Sequence, residues 1–283
     1  MLFSNQEKLK FERAEDVFRS LFMKKIEKFK ILIVVFYLNV VPVQAEESFW
    51  MNVKSDYDEF YSTDRFIRMA YVFAGGAALA HSDADQNFQN DYQNNTRSSD
   101  TDDFSSTAKL FGEGKILIPL SLMSVAIDDY LREGQPRSAM GKWGAVTARS
   151  YISAAPALLA TQRLTGASRP SEPPYQSDWQ PFNDSNGVSG HAFIGAVPFI
   201  SIAYMNEGNT FVQSMAYLAS TFTAISRIND DQHYLSQAVL GWYLAWESVD
   251  AVNAVQANKE KKIHIRPLAG VESYGVQLVL QWN

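Results

Sequence analysis

Five stretches with helical periodicity occupy most of the chain after residue 107 and constrain it to a helix bundle. Their apolar residues recur at spacings of three and four, the period of an α-helix with one buried face. Polar residues interrupt each stretch, and no segment after residue 45 reaches 18 consecutive apolar residues, so the pattern does not indicate a multi-span membrane protein. The five stretches are residues 108–132, 141–165, 190–206, 209–227 and 233–256.

The region before this bundle has a different composition. Residues 56–80 are predicted to be helical from Ser62 onward. Residues 81–107 contain almost no aliphatic side chains and many Asp, Asn, Gln and Ser, which predicts a long solvated surface loop. We therefore predict an N-terminal helix and polar loop over 46–107, followed by a helical core over 108–257.

The C-terminal segment changes period again. In residues 274–283 apolar and small or polar side chains alternate with a period of two, which is typical of a β-strand. Residues 263–268 provide a possible partner strand. The predicted fold is therefore an all-α helical bundle with a short C-terminal β-hairpin, formed by the strand pair in 258–283 and packed on the helices.

The N-terminus has the layout of a secretory signal peptide. A basic start from Met23 precedes an apolar run over residues 31–43, and small residues precede a cleavage point after Ala45. We predict that residues 1–45 are a signal peptide, that Met23 is the true start, and that the protein is exported to a bacterial periplasm. A single N-terminal membrane anchor, kept rather than cleaved, is the open alternative.

Charge and cysteine content exclude several classes of function. The formal net charge is −6, which argues against a general nucleic-acid-binding protein because phosphate contacts need a basic surface. The chain has no cysteine, so disulfides, zinc–thiolate sites and cysteine nucleophiles are excluded.

Three short segments at helix–loop junctions carry side chains suited to phosphate chemistry. They are TQRLTGASRP (161–170), NGVSGHAF (186–193) and SRINDDQHYLSQ (226–237). Arginine forks match phosphate oxygens, a Ser-Gly pair at a helix N-terminus offers backbone N–H groups, and two histidines can act as nucleophile and acid. Such a set suits a phosphoryl group without a metal, although spacing alone does not show that the segments converge.

In this order the segments resemble the type 2 phosphatidic acid phosphatase / vanadium-dependent haloperoxidase superfamily. Its pattern is K-x6-R-P, then P-S-G-H, then S-R-x5-H-x3-D. Arg169-Pro170 match the end of the first motif, and Ser189-Gly190-His191 match the second with Val188 in place of proline. Ser226-Arg227 and His233 match the third at the same spacing. The resemblance spans about residues 160–245 and implies the helical bundle of this superfamily.

The resemblance implies a role for each matched residue. His233 would attack phosphorus and form a phosphohistidine, and His191 would protonate the leaving oxygen. The equatorial phosphate oxygens would be held by Arg169, Arg227, Ser189 and the Gly190 N–H group. No cofactor or metal is implied, and vanadate is expected to inhibit as a phosphate mimic.

Two positions depart from the family pattern. The lysine position is Gln162, with Arg163 beside it, and neighbours on a helix point about 100° apart. Arg163 is a candidate substitute only if the helix end is rotated. The aspartate position is Gln237, whose amide oxygen can accept the far N–H of His233 but carries no charge.

Three hypotheses about function remain open. The first is a metal-independent phosphatase acting on phosphomonoesters, with lipid phosphates among the candidate substrates. The second, motivated by Gln162 and Gln237, is a catalytically weakened member that binds a phosphorylated ligand or has a structural role. The third is a vanadate-dependent haloperoxidase. A small-molecule or lipid phosphate is the expected partner, peripheral membrane contact is possible, nucleic acid is not expected, and the oligomeric state is open.

Overall fold

The structure is a computed structural model that describes residues 49–132, 135–260, 264–270 and 273–279. The predicted signal peptide over 1–45 and the predicted start at Met23 lie outside the described residues. Most of the described chain before residue 261 is helical, and this confirms the predicted helical bundle.

Ten α-helices are described. They are α1 (Phe49–Phe60), α2 (Thr63–Ala80), α3 (Asp83–Asp91), α4 (Ser99–Ala108), α5 (Leu117–Leu131), α6 (Ala139–Thr165), α7 (Gly190–Met205), α8 (Thr210–Ser220), α9 (Phe222–Asn229) and α10 (Leu235–Glu260). A π-helical turn over Tyr92–Thr96 joins α3 to α4, and a 3₁₀ turn over Lys109–Gly112 follows α4. The proline-rich connection between α6 and α7 has no regular helix.

Helix α7 lies in the core between α6 and α10. Its side chains Phe193, Val197 and Ile200 are almost completely buried against apolar residues of both neighbours. The close approach of α10 to the start of α7 depends on a glycine, because a Cβ atom at Gly241 of α10 would collide with the backbone oxygen of Ser189. Any larger residue at position 241 would push α10 away from the start of α7.

Buried ion pairs attach the first two helices to this core. Arg149 of α6 makes a two-point contact with Asp56 of α1, at 2.7 Å from Nε and 2.6 Å from Nη2. Arg65 of α2 donates to the fully buried carboxylate of Glu247 in α10 at 2.7 Å. Removal of one partner from such a pair typically costs about 3–5 kcal/mol, because the other charge is left buried and uncompensated.

The prediction of a solvated loop over residues 81–107 is wrong, because most of this segment is helical. Most of its side chains are exposed to solvent as predicted, but Asp85, Gln89 and Ser105 are buried against α9, α10 and the turn between them. Asp85 accepts from the backbone N–H and hydroxyl of Ser236 at 3.0 and 2.6 Å, and Ser105 donates to the Ser226 carbonyl at 3.0 Å. A helix that buries a polar face against hydrogen-bonding groups lacks the apolar stripe that a sequence reading detects.

Three helix boundaries also differ from the sequence prediction. Residues 49–60 form a separate helix, and the predicted stretch 209–227 is divided at Thr221 into α8 and α9. The predicted stretch 108–132 begins with the 3₁₀ turn, and α5 starts only at Leu117.

At the C-terminus the backbone runs as two antiparallel strands, β1 (His264–Gly270) and β2 (Ser273–Val279). His264 pairs with Val279 and Gly270 with Ser273. The packing of this strand pair on the helices stays a prediction.

No single helix among the described residues has the length and apolar character needed to cross a membrane. The helical segments Ser99–Gly112 and Leu117–Leu131 meet those two criteria only when taken together, and they are bent by 46°.

Candidate active site

The turn between α9 and α10 brings Arg227 and His233 together. After α9 ends at Asn229, the chain reverses through Asp231, whose φ of 57° places it in the left-handed region that Asp tolerates better than most residues. The backbone N–H groups of Gln232 and His233 then donate to the Arg227 carbonyl at 2.9 and 3.2 Å. The acidic turn is therefore a closed structure that presents both side chains to one side.

Helix α3 and the π-helical turn hold this turn from outside. The amide of Gln89 donates to the Asp231 carboxylate at 2.8 Å and to the Ile228 carbonyl at 3.2 Å. Gln93 donates to the same carbonyl at 2.9 Å. The left-handed residue and the end of α9 are thus fixed by side chains from the segment that sequence reasoning placed in solvent.

Direct hydrogen bonds join the three sequence segments. The side-chain amide of Gln237 donates to the Ser168 carbonyl at 2.8 Å, and the Ser189 N–H group donates to the Gln237 carbonyl at 2.9 Å. Arg169 donates to the side chain of Gln232 at 2.8 Å. Residues separated by up to about 70 positions in sequence therefore share one site.

Neighbouring backbone groups fix the orientation of the Gln237 amide. Its nitrogen must face the Ser168 carbonyl, which only accepts, and its oxygen must face the Tyr234 N–H group, which only donates, at 3.2 Å. The same oxygen lies 2.9 Å from His233 Nδ1. Nδ1 therefore carries the proton, and the opposite nitrogen, Nε2, holds the free lone pair.

His233 is kept neutral by its surroundings. Its side chain is buried, and this burial lowers the pKa of His233 to about 3. The hydrogen bond to Gln237 opposes this shift, whereas the positive charges of Arg227 and Arg169 add to it. The imidazole is accordingly an unprotonated base at any pH near neutrality.

Two arginines border this imidazole. Burial and the positive charge of Arg169 lower the pKa of Arg227, while the Asp230 carboxylate opposes this at 3.2 Å. Arg169 donates to Asn186 at 3.1 Å and to Gln232, both neutral groups. Each guanidinium group also has one carboxylate partner, Glu172 at 3.7 Å for Arg169 and Asp230 for Arg227. The other N–H donors of the two groups suit a bound anion.

The second segment supplies the N-terminus of α7. Ser189 is the N-cap residue, and its buried hydroxyl accepts from the Ala192 N–H group at 3.2 Å. His191 lies in the first turn, where burial and the charge of Arg227 lower its pKa and Glu113 raises it. The positive end of the helix and Gly190 therefore lie beside the two arginines and the two histidines.

Gln162 faces this site and Arg163 does not. The Gln162 amide donates to the Val188 carbonyl at 3.0 Å and lies 3.2 Å from where a Cβ atom on Gly190 would be. Arg163 is exposed to solvent on the neighbouring helical position. Its charge is not among the main influences on the pKa of His191, His233 or Arg227. The structure therefore does not support Arg163 as a substitute for the family lysine.

Several side chains at the site were not singled out from the sequence. Asn186 and Gln232 hold Arg169, and Glu113 influences both His191 and Arg227. No motif spacing marks these positions. Within the described part of the chain, no group of three or more His, Asp or Glu side chains is arranged to hold a metal ion.

Comparison with known proteins agrees with this geometry. A sequence model of the PAP2 superfamily matches residues 135–260, which include all three segments and helices α6 to α10. No curated protein and no solved structure matched the chain in the corresponding searches. The resemblance found in the three segments is confirmed over residues 135–260, which match the PAP2 superfamily, the type 2 phosphatidic acid phosphatases and their relatives.

Proposed function

We propose that this domain hydrolyses phosphomonoesters through a phosphohistidine intermediate and without a metal ion. Its superfamily indicates phosphoester hydrolysis in general. The observation that carries the finer proposal is the buried, neutral His233, whose Nε2 lone pair is free because Nδ1–H is bonded to Gln237. A nucleophile next to two arginines and a helix N-terminus suits attack on a phosphoryl group.

In the first step the Nε2 lone pair of His233 forms a bond to phosphorus while the bond from phosphorus to the leaving oxygen breaks. His191 donates a proton to that oxygen, so the alcohol leaves neutral. In the second step water attacks the phosphohistidine, His191 takes a proton from the water, and the bond between Nε2 and phosphorus breaks. Inorganic phosphate and the starting protonation states are regenerated.

The charge that builds up on the phosphoryl oxygens has several partners. Arg169 and Arg227 supply positive charge, and the start of α7 supplies the N–H group of Gly190 and the hydroxyl proton of Ser189. Gln162 supplies an amide donor where the family pattern has a lysine cation. Gln162 therefore stabilises the negative charge of the transition state less than a lysine at this position would.

The surface beside His191 supports a lipid phosphate as the substrate class. The segment after α4 exposes the apolar side chains of Leu110, Phe111 and Ile116, together with Lys115. An acyl chain would contact the apolar residues, and the ammonium group would attract a phosphate headgroup. Peripheral contact of this segment with a membrane is part of the same proposal.

The second candidate is a member with weakened catalysis that binds a phosphorylated ligand. Two observations favour it. Gln237 offers His233 a neutral acceptor, so the positive imidazole ring of a phosphohistidine is stabilised less than by a carboxylate. Gln162 brings no cation to the anion.

Turnover and binding separate the two candidates. Purified protein is assayed with p-nitrophenyl phosphate and with a short-chain phosphatidic acid, each with and without EDTA and vanadate, and with His233→Ala as the control. We expect turnover that resists EDTA, is inhibited by vanadate and is abolished in His233→Ala. Absence of turnover, with phosphate or vanadate still bound in a titration, would support the second candidate. Loss of turnover with EDTA would contradict the metal-independent mechanism, and halide oxidation with added vanadate would favour a haloperoxidase.

Export is a separate proposal that rests on the N-terminal sequence. Cleavage after Ala45 would leave a chain that begins at Glu46 and is released into a bacterial periplasm. N-terminal sequencing of protein recovered from the periplasmic fraction tests it. A full-length chain held in the membrane fraction would support the anchor instead.

A further inference from the structure

The segment between α4 and α5 packs directly on the first turn of α7. A Cβ atom at Gly112 would lie 2.8 Å from the backbone oxygen and 2.9 Å from the Cβ atom of His191. Only glycine allows this approach, and Gly112 is buried. The next residue, Glu113, therefore starts from a backbone position next to His191.

The Glu113 carboxylate acts electrostatically on two groups of the site. Burial lowers the pKa of both His191 and Arg227, which come from different helices, and the negative charge of Glu113 opposes this lowering. Its side chain is about one third exposed and lies 3.3 Å from the ammonium group of Lys115, which is 82 % exposed. Glu113 is therefore positioned between the solvent-exposed lysine and the interior of the site.

The charges around His191 are otherwise unfavourable to a proton. Arg227 on α9, Arg169 on the connection after α6, and Lys115 before α5 all disfavour the imidazolium form. Asp230 is held by Arg227 and Ser105, with Lys109 at 3.9 Å. Among the four charged groups that act most strongly on His191 within the described residues, Glu113 alone is negative.

We propose that Glu113 is a positioning residue for His191, and that its carboxylate favours the imidazolium form from which His191 donates a proton to the leaving oxygen. The proposal rests on the proposed phosphatase mechanism for its consequence. The relation between the Glu113 charge and the His191 proton does not depend on turnover, because it follows from the packing of the Gly112 turn on α7. The two can therefore be tested separately.

The first experiment measures the proton on His191 directly. The chain has only four histidines, so their ring signals can be followed in an NMR titration and assigned with a His191→Gln variant. We expect Glu113→Gln to lower the pKa of His191 and Lys115→Gln to leave it unchanged or to raise it. Glu207→Gln, an exposed glutamate that follows the far end of α7, serves as the control and should leave it unchanged. An unchanged pKa in Glu113→Gln overturns the proposal whether or not the enzyme is active.

The second experiment measures the consequence in catalysis. A general acid must be protonated, so activity is lost as the pH rises through its pKa, and a lower pKa moves this loss to lower pH. We expect kcat/KM of Glu113→Gln to fall about threefold to tenfold on the alkaline side of the profile and to be retained on the acidic side. Glu113→Asp should recover part of the loss. An equal loss at every pH would indicate a merely structural role and would contradict the proposal, whereas a wild-type protein without turnover contradicts the proposed function instead.

Discussion

The amide oxygen of Gln237, in the first turn of α10, lies 2.9 Å from Nδ1 of His233, which precedes that helix. The same side chain donates to the Ser168 carbonyl and accepts from the Tyr234 N–H group, so both ends of the amide are fixed. Gln237 can therefore set the tautomer of His233, the proposed nucleophile, as an aspartate would. It differs from an aspartate in supplying no negative charge when that ring becomes positive.

Replacement of Gln237 by alanine should lower kcat by about 100-fold with little change in KM. The variant loses the acceptor that holds Nδ1–H, so the ring can rotate or change tautomer, and it leaves the Ser168 carbonyl without its partner. Rates with p-nitrophenyl phosphate measure the effect. Gln135→Ala is the control, since Gln135 is exposed near the opposite end of α6.

Gln237→Glu gives the complementary result. A glutamate keeps the acceptor for His233, so it should retain more activity than alanine does. Its second oxygen would face the Ser168 carbonyl without a proton to donate, which limits the recovery. Equal rates in wild type, Gln237→Ala and Gln237→Glu would show that this position does not orient His233.

The burial of His233 also predicts how stability depends on pH. Because the pKa of His233 is about 3 in the folded protein and 6.5 in its ordinary state, the unfolded chain binds an extra proton between these values. The stability contribution is complete above pH 6.5 and is lost as the pH falls toward 3. At about pH 4.5 the loss amounts to roughly 2–3 kcal/mol.

His233→Gln isolates this contribution. Urea denaturation at about pH 7 and about pH 4.5 measures the free energy of unfolding of both proteins. Between the two pH values the variant should lose roughly 2–3 kcal/mol less than the wild type loses. All other titrating groups are common to both proteins and cancel in the comparison. Parallel losses in the two proteins would mean that His233 takes up its proton without unfolding.

The sequence predicted the helices that bury apolar side chains. Stretches 141–165, 190–206 and 233–256 agree closely with α6, α7 and α10, because a buried apolar stripe leaves a period of three and four. Segments α3 and α4 were missed for the opposite reason. Their buried face carries Asp85, Gln89 and Ser105, whose burial is stabilised by hydrogen bonds that no hydropathy pattern records.

The candidate site was predictable only where a motif has fixed spacing. Arg169, His191, Arg227 and His233 were found in this way, and the structure brings them together. Glu113 has no such signal, since its nearness to His191 depends on the packing of Gly112 against α7. The sequence equally leaves open the orientation of the helix end, which decides between Gln162 and Arg163.

Asp85 should stabilise the start of α10, the helix that begins just after His233. Its carboxylate is buried and accepts from the backbone and hydroxyl of Ser236, so it acts as an N-terminal cap supplied by another helix. Burial raises the pKa of this carboxyl. Asp85→Ala should lower the free energy of unfolding by about 2 kcal/mol and should also lower kcat.

Asp83→Ala is the matched control, because Asp83 is exposed in the first turn of the same helix. Its loss should stay within about 0.5 kcal/mol, the usual size of a charge–dipole term at a helix end. Urea denaturation and kcat are measured for both variants. If the two variants lose equal stability, α3 does not support α10 in the way the contacts indicate.

Gln162→Lys should strengthen phosphate binding. The Gln162 amide lies beside Gly190 at the start of α7, so a lysine there would bring an ammonium group next to the anion site and could still donate to the Val188 carbonyl. We expect the inhibition constants for phosphate and vanadate to fall about threefold to tenfold, with a smaller effect at high salt.

Arg163→Gln tests the other side of the same helix. Arg163 is exposed to solvent and does not face the anion site beside Gly190. Its removal should therefore leave the inhibition constants for phosphate and vanadate within about twofold of the wild-type values. The assignment of Gln162 to the lysine position is contradicted if Arg163→Gln weakens inhibition while Gln162→Lys does not strengthen it. The helix end would then present Arg163 to the anion. The pair of variants thus decides which residue stands at the position of the family lysine, because only a side chain that faces Gly190 can change anion affinity through a direct contact.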